Sequence, residues 1–189
     1  MITSPTSRTK KSYLTALKEG LTEEMALNPD LVCIGEDIGI LGGAFGVTEG
    51  LQDQFGTARV IDAPISEAGI VGAAVGMSLS GKTVMAEMQF IDFISCGFDQ
   101  IVNMLATYHY RTAGEVDMGV VIRGPAGAYG GGALYHSQMN EAWFANSPGK
   151  SKTTPLPIST SICKRSKRRC GRAAARCTMR PTAPRPAAS

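Results

Sequence analysis

The chain has 189 residues, a formal net charge of +3 and 43% hydrophobic residues. This length allows about one domain, and no apolar run approaches the roughly 18 residues that a membrane-spanning helix requires. The N-terminus contains no apolar segment of the kind found in secretory signals. We therefore expect a protein of a reducing compartment without membrane association, in which Cys33 and Cys96 are small core residues.

The charge is distributed unevenly along the chain. Residues 1–149 contain eight Lys/Arg against sixteen Asp/Glu, a net charge of −8, whereas residues 150–189 contain eleven Lys/Arg and no acid, a net charge of +11. The second segment has few large apolar residues, so burial cannot offset its ordering entropy and we expect it to be disordered. We interpret this basic tail as the product of a shifted reading frame or a faulty gene prediction, with a nucleic-acid-binding arm as the less favoured alternative. Residues 1–149 are then the one folded domain.

The first predicted element is a helix from Ser12 to Leu27, which has apolar residues at helical spacing and ends at Asn28-Pro-Asp30. Four short apolar runs follow, as is typical of parallel strands buried on both faces. They are Leu31–Gly35, Arg59–Asp62, Thr83–Gln89 and Met118–Arg123. The segments from Glu67 to Ser80 and from Phe90 to Tyr110 are long enough for crossover helices between parallel strands. The predicted fold is a three-layer α/β/α, Rossmann-like domain with a mostly parallel sheet.

The predicted helix from Glu67 to Ser80 contains Gly69, Gly72 and Gly76. Each lowers helix propensity by about 1 kcal/mol relative to alanine. Close packing against the sheet or against a second subunit would offset this cost.

The segment Gly76-Met-Ser-Leu-Ser-Gly-Lys-Thr83 matches the Walker A string. A P-loop follows a strand and opens a helix, whereas here a helix precedes a strand, so we interpret this match as chance.

Candidate functional side chains fall at the carboxyl ends of the predicted strands, which meet at one edge of a parallel sheet and commonly bind ligands there. Glu67 and Gln89 lie at two of these ends, so a carboxylate, an amide and the ring of Phe93 can form a site for a flat, nitrogen-bearing ring. Glu67 alternatively stabilises a helix N-terminus. His136 follows a glycine-rich loop and is a functional candidate by position, whereas His109 is predicted to be a structural or surface residue.

Six motifs occur in order along the chain. They are Ile34-Gly-Glu-Asp37, Asp62-Ala-Pro-Ile-Ser-Glu67, Ala86-Glu-Met-Gln-Phe90, Phe98-Asp-Gln-Ile-Val-Asn103, Val121-Ile-Arg-Gly-Pro125 and Tyr135-His-Ser-Gln138. This series resembles the beta subunit of the thiamine-diphosphate-dependent 2-oxo acid dehydrogenases, of the pyruvate and branched-chain type, over residues 12–149. The resemblance implies a transketolase-like pyrimidine-binding domain and the oxidative decarboxylation of a 2-oxo acid, with transfer of the acyl group to lipoyl.

The resemblance also implies roles for individual residues. Glu67 would hold the aminopyrimidine nitrogen of thiamine diphosphate, and His136 would face the substrate and the incoming lipoyl group, where an imidazole can move protons. These two are the expected catalytic residues. The expected cofactor-binding residues are Glu36, Ile65, Glu67, Gln89 and Phe93.

The partners implied by the resemblance are an alpha subunit, in an α2β2 assembly, and a lipoyl-bearing acyltransferase. The family's diphosphate and magnesium motif is absent from this chain, so we expect the alpha subunit to hold Mg²⁺ and predict no metal site here. The family's second beta domain is replaced by the basic tail, so the chain alone is expected to be inactive. The expected location is the bacterial cytoplasm or, in a eukaryote, the mitochondrial matrix. Two alternatives are a transketolase-like synthase fragment and a non-catalytic protein that binds nucleic acid through its tail.

Overall fold

The structure is a computed structural model that describes residues 10–128 and 131–144. Its α-helices are α1 Tyr13–Leu27, α2 Leu51–Phe55, α3 Glu67–Leu79, α4 Tyr108–Arg111 and α5 Ala133–His136. Its strands are β1 Leu31–Gly35, β2 Val60–Asp62, β3 Thr83–Glu87 and β4 Val120–Arg123. Two 3-10 helices, Ile91–Gly97 and Glu141–Phe144, and a π-helical segment, Gln100–Leu105, complete the described elements. The basic tail lies outside the described residues, so its predicted disorder stays a prediction.

The four described strands form one parallel sheet in the order β2-β1-β3-β4. The register pairs Gly35 at the end of β1 with Asp62 of β2 and with Glu87 of β3, and Glu87 with Arg123 of β4. The strands therefore end level with one another, and their carboxyl ends share one edge. The predicted strands and their parallel arrangement are confirmed.

The two faces of the sheet carry separate hydrophobic cores. Along β3, Val84 and Ala86 belong to the core that contains Ile70 of α3, whereas Met85 belongs to the core that contains Met25 of α1. This alternation follows from the two-residue period of a strand, whose side chains point to opposite faces. A sheet covered by helices on both faces confirms the predicted three-layer α/β/α architecture. Within the described residues, no helix combines the length and apolar character needed to cross a membrane.

The first helix begins and ends as predicted. Ser12 is its N-cap and its Oγ accepts a hydrogen bond of 3.1 Å from the Thr15 backbone N–H.

The two cysteines of the described residues differ in burial. Cys33 lies in the core beside Met25, with 3.6 Å between the two sulfur atoms, and burial raises the pKa of its thiol to about 12. Cys96 is exposed, so its predicted place in the core is wrong. The short 3-10 helix that carries it buries other residues instead.

The second predicted crossover helix, Phe90 to Tyr110, is broken into a 3-10 helix, a π-helical segment and α4. Gly97 lies at the first break. A Cβ atom there would stand 3.0 Å from Val71 Cγ2 and 3.3 Å from the Glu67 carbonyl oxygen. The missing side chain thus lets this segment approach α3 closely, and the same glycine disfavours a continuous helix.

The glycines of α3 do not pack against the sheet. A Cβ at Gly76 would meet no described atom within 4 Å, and one at Gly72 would meet only the Gln100 side chain, at 3.6 Å. The predicted close packing on the sheet is therefore wrong for these positions, while the subunit contact stays a prediction.

The Walker A string runs from α3 through a turn at Gly81 (φ +89°) into β3, the reverse of the P-loop order.

Candidate functional site

Polar side chains gather at the carboxyl edge of the sheet. Glu36 and Asp37 follow β1, Glu67 is the first residue of α3, and Gln89 lies two residues beyond β3. Gln89 Nε2 donates a hydrogen bond of 3.1 Å to Asp37 Oδ2. The charges of Glu67 and Asp37 act on the carboxyl of Glu36. We call these four residues the polar cluster, and three of them are site residues predicted from the sequence.

The polar cluster concentrates negative charge around one buried carboxyl group. Glu36 is 6% exposed. Burial raises the pKa of its carboxyl, the charges of Glu67 and Asp37 raise it further, and a backbone hydrogen bond from Ser66 opposes them. Burial and repulsion thus both disfavour a second negative charge beside Glu67. The pair Glu36 and Glu67 therefore presents two neighbouring carboxyl groups, one of them buried, to the hydrogen-bonding atoms of a heterocycle.

A group of aromatic rings is centred on Phe90, the residue after Gln89. Phe90 makes edge-to-face contacts with Phe45, Phe93 and His136, with ring centroids 5.9, 6.2 and 4.5 Å apart. Phe93 also contacts the His136 ring, at 5.5 Å. We call these four residues the aromatic cluster. It brings together two predicted site residues, Phe93 and His136, that are 43 positions apart in the chain.

Ile65, the predicted apolar wall of the site, is 85% exposed. It lies in the loop between β2 and α3, on the segment that leads to Glu67. In the described part of the chain its side chain is therefore open to solvent or to a partner, and its contact with a cofactor stays a prediction.

A buried ion pair joins the ends of β3 and β4. The Glu87 carboxylate accepts a hydrogen bond from Arg123, and their side chains are 3% and 15% exposed. Burial raises the pKa of Glu87, and Arg123 opposes this rise. A Cβ at Gly43 would lie 2.8 Å from Glu87 Oε1, so the loop after β1 covers the pair. Because Arg123 compensates its charge, we interpret Glu87 as a structural residue that lies beside the polar cluster.

Within residues 10–128 and 131–144, no three His, Cys, Asp or Glu side chains are arranged to hold a metal ion.

His109 lies away from this edge. Its Nδ1 is 3.0 Å from the Val116 carbonyl oxygen and 3.1 Å from Asp117 Oδ1, in the segment that precedes β4. These contacts tie α4 to the start of that strand, at the opposite edge of the sheet. They support the structural role predicted for this histidine.

Phe90 and Phe45 are the members of the aromatic cluster that the sequence interpretation did not identify. A signal for Phe90 was present in Gln89-Phe-Ile-Asp-Phe93, because residues three apart on a helical turn share one face. Phe45 carries no comparable signal. Its contact with Phe90 depends on how the long loop between β1 and α2 folds over the edge.

Comparisons with known proteins agree with this fold. The family described as "Transketolase, pyrimidine binding domain" matches residues 9–183. A solved structure described as "Split gene transketolase, inactive beta4 tetramer" superposes with a TM-score of 0.52 at 22% sequence identity, over 71% of this chain and 40% of that one. The structural likeness supports the fold.

Curated relatives align with most of this chain. It is 46% identical over 134 residues to "Pyruvate dehydrogenase E1 component subunit beta" of Leifsonia xyli, which covers 71% of this chain and 40% of the relative. It is 43% identical over 147 residues to the mitochondrial "2-oxoisovalerate dehydrogenase subunit beta" of Dictyostelium discoideum, covering 77% and 40%. With the Bacillus subtilis "2-oxoisovalerate dehydrogenase subunit beta" it shares 43% over 138 residues, covering 73% and 42%. The chain thus spans about two fifths of the length of these relatives. Since the family match extends over most of its residues, the chain belongs to the transketolase pyrimidine-binding domain family.

Proposed function

We propose that this chain supplies the pyrimidine-binding half of a thiamine diphosphate site in the decarboxylating component of a 2-oxo acid dehydrogenase. The substrate would be pyruvate or a branched-chain 2-oxo acid, because the aligned relatives are beta subunits of both types. The observation that carries the proposal is the polar cluster beside the aromatic cluster at the carboxyl edge of the sheet. A carboxylate, an amide and aromatic faces are the groups that a flat, nitrogen-bearing ring requires.

The residues of the polar cluster would bind the pyrimidine ring. Glu67 would hydrogen-bond a ring nitrogen next to the buried carboxyl of Glu36, whose pKa is raised by burial and by the charge of Glu67. Gln89 and Phe93 would orient the ring, and Ile65 would cover it once the enzyme is assembled. Bound thiamine diphosphate would supply the nucleophilic carbon and the electron sink that decarboxylation needs.

His136 would act in the second half of the reaction. Its ring is exposed and packs edge-to-face on Phe90 and Phe93. It therefore has a fixed side and an open side, and the open side can meet an incoming group. We propose that this group is the lipoyl arm of an acyltransferase, and that the imidazole moves a proton during acyl transfer.

An alpha subunit would complete the site. Several large apolar side chains near the carboxyl edge are exposed, namely Ile40 at 88%, Leu41 at 70% and Ile65 at 85%. Exposed apolar residues that gather in one region mark contact surfaces. We propose that the alpha subunit covers them and binds the diphosphate with Mg²⁺. The assembled enzyme would work in the bacterial cytoplasm or the mitochondrial matrix, and it would have no need of nucleic acid.

Glu67→Gln tests the proposal, because an amide keeps the size of the side chain and removes its charge. With the alpha subunit, cofactor and Mg²⁺ present, we expect decarboxylation to fall by at least about 100-fold, the usual contribution of a positioned acid or base. The reaction would be followed with an artificial electron acceptor, and unfolding would be monitored to show an intact fold. Glu49→Gln is the matched control, since Glu49 is an exposed carboxylate paired with Lys18. Turnover of Glu67→Gln within twofold of the parent enzyme would contradict the role of Glu67.

A further inference from the structure

The element that carries His136 has little stability of its own. α5 has only four residues, and isolated helices of that length are unstable in water. Ala133, its first residue, has φ +53°, a left-handed conformation that is unfavourable for a residue with a side chain. The position of the imidazole must therefore be set by contacts from outside α5.

One buried carboxylate provides such contacts. Asp92 is 7% exposed, and its Oδ1 accepts hydrogen bonds from the backbone N–H groups of Ser137, at 3.2 Å, and Gln138, at 3.0 Å. These are the two residues directly after His136. Among the described residues, Asp92 Oδ2 has no hydrogen-bond partner, so one oxygen atom makes both bonds.

The same short segment also holds the ring. Phe90 and Phe93 lie on either side of Asp92 in sequence, and both make edge-to-face contacts with the His136 imidazole. The rings fix the side chain while the carboxylate fixes the backbone that follows it. Both parts come from residues 90–93, which begin three residues beyond the end of β3.

We propose that Asp92 is a positioning residue for His136, acting through the backbone of Ser137 and Gln138. Its role in acyl transfer rests on the function proposed above, whereas its effect on the loop does not. Because a single oxygen makes both bonds, an amide at this position retains them and a methyl group loses them. Asp92→Asn should therefore preserve the position of the histidine, and Asp92→Ala should not.

The first test measures amide hydrogen exchange in the full chain. We expect the Ser137 and Gln138 amides to exchange at least about tenfold faster in Asp92→Ala, as the loss of hydrogen bonds to a charged group implies, and at nearly the parent rate in Asp92→Asn. Asn140→Ala is the matched control. The Asn140 side chain is also buried. It links the segment after α5 to the 3-10 helix Ile91–Gly97 through a 3.3 Å hydrogen bond to the Ile91 carbonyl oxygen. Unchanged exchange at both amides in Asp92→Ala would overturn the proposal.

The second test compares the two half-reactions in the assembled enzyme. We expect Asp92→Ala to lower lipoyl acylation by about 10- to 100-fold, as a displaced catalytic group does, with a much smaller effect on decarboxylation and with recovery in Asp92→Asn. In a His136→Ala background, Asp92→Ala should have little further effect, because residues that act through one another are not additive. Equal losses in both half-reactions, or additive losses in the double variant, would overturn the proposal. An inactive parent enzyme would instead contradict the proposed function, and the exchange measurements would still decide the role of Asp92.

Discussion

Arg123→Met removes the cation from the buried ion pair with Glu87 and keeps a side chain of similar length. The Glu87 side chain is 3% exposed, so its carboxylate would remain in the interior without a compensating charge. Removing one partner of a buried pair costs about 3–5 kcal/mol, so we expect the free energy of unfolding to fall by that amount. Lys18→Met provides the comparison. Its pair with Glu49 has side chains that are 37% and 70% exposed, so its loss should cost far less than the loss of Arg123.

The loss in Arg123→Met should depend on pH. Burial already raises the pKa of Glu87, and Arg123 is the group that lowers it, so removing Arg123 raises this pKa further. A carboxyl with a raised pKa in the folded state contributes no penalty below its unfolded pKa of about 4.3, and destabilises the fold as pH rises through the folded value. The loss should therefore be larger near neutral pH than in acid. Urea unfolding followed by circular dichroism at several pH values measures it.

Two results would refute this reasoning. A loss below about 1 kcal/mol at neutral pH would mean that solvent reaches the carboxylate and that the pair behaves like a surface pair. A loss that does not change with pH would mean that Arg123 acts through packing alone. The double variant Glu87→Gln with Arg123→Met separates these possibilities, because it removes both charges and should lose less than Arg123→Met alone.

Two smaller predictions concern packing and titration. Gly35→Ala should destabilise the fold by about 1–3 kcal/mol, because its Cβ would lie 2.9 Å from the Glu87 carbonyl oxygen. Gly76→Ala should stabilise the fold by about 1 kcal/mol, because no described atom lies within 4 Å of its Cβ. Thermal unfolding compares the two variants, and shifts of the melting temperature in the same direction would contradict the packing at these two positions. Glu36→Gln should raise the free energy of unfolding by an amount that is absent in acid and grows with pH, because burial and the Glu67 charge raise the pKa of Glu36. Urea titrations from acid to neutral pH measure this gain, and a constant difference between variant and parent would count against it.

The sheet could be predicted because its two central strands, β1 and β3, are buried on both faces. The bounds of β1 match the predicted run Leu31–Gly35, and those of β3 and β4 differ from prediction by two residues at one end. Continuous apolar runs of this length between polar segments are a strong local signal, and the crossover lengths then require parallel pairing. Only local information is needed for this part of the fold.

The segment from Phe90 to Tyr110 shows where local information was insufficient. Its composition permits a helix, yet Gly97 packs against Val71 and the chain changes helix type around it. That contact joins residues 26 positions apart and leaves no periodic pattern. The exposure of Cys96 has the same origin, since it follows from the orientation of this broken segment on α3.

The two halves of the candidate site differ in the same way. The polar cluster was predictable because parallel strands end at one edge, which brings Glu36, Glu67 and Gln89 together whatever the loops do. The aromatic cluster depends on two segments, the loop that carries Phe45 and the short helix α5 that carries His136, which meet at Phe90. Sequence reasoning proposed the histidine as a functional candidate but did not identify Phe90, one of the two rings that hold it.

This difference bears on how the site would work. The polar cluster is built on strand ends and a helix start, which are rigid, so it suits the binding of a ring in one orientation. His136 instead lies on a four-residue helix that few contacts hold in place. These contacts are the hydrogen bonds to Asp92 and the two phenylalanine rings. Elements with few buried contacts open at low free-energy cost. A group that must meet a large incoming substrate arm and then release it is therefore better placed on α5 than on the sheet.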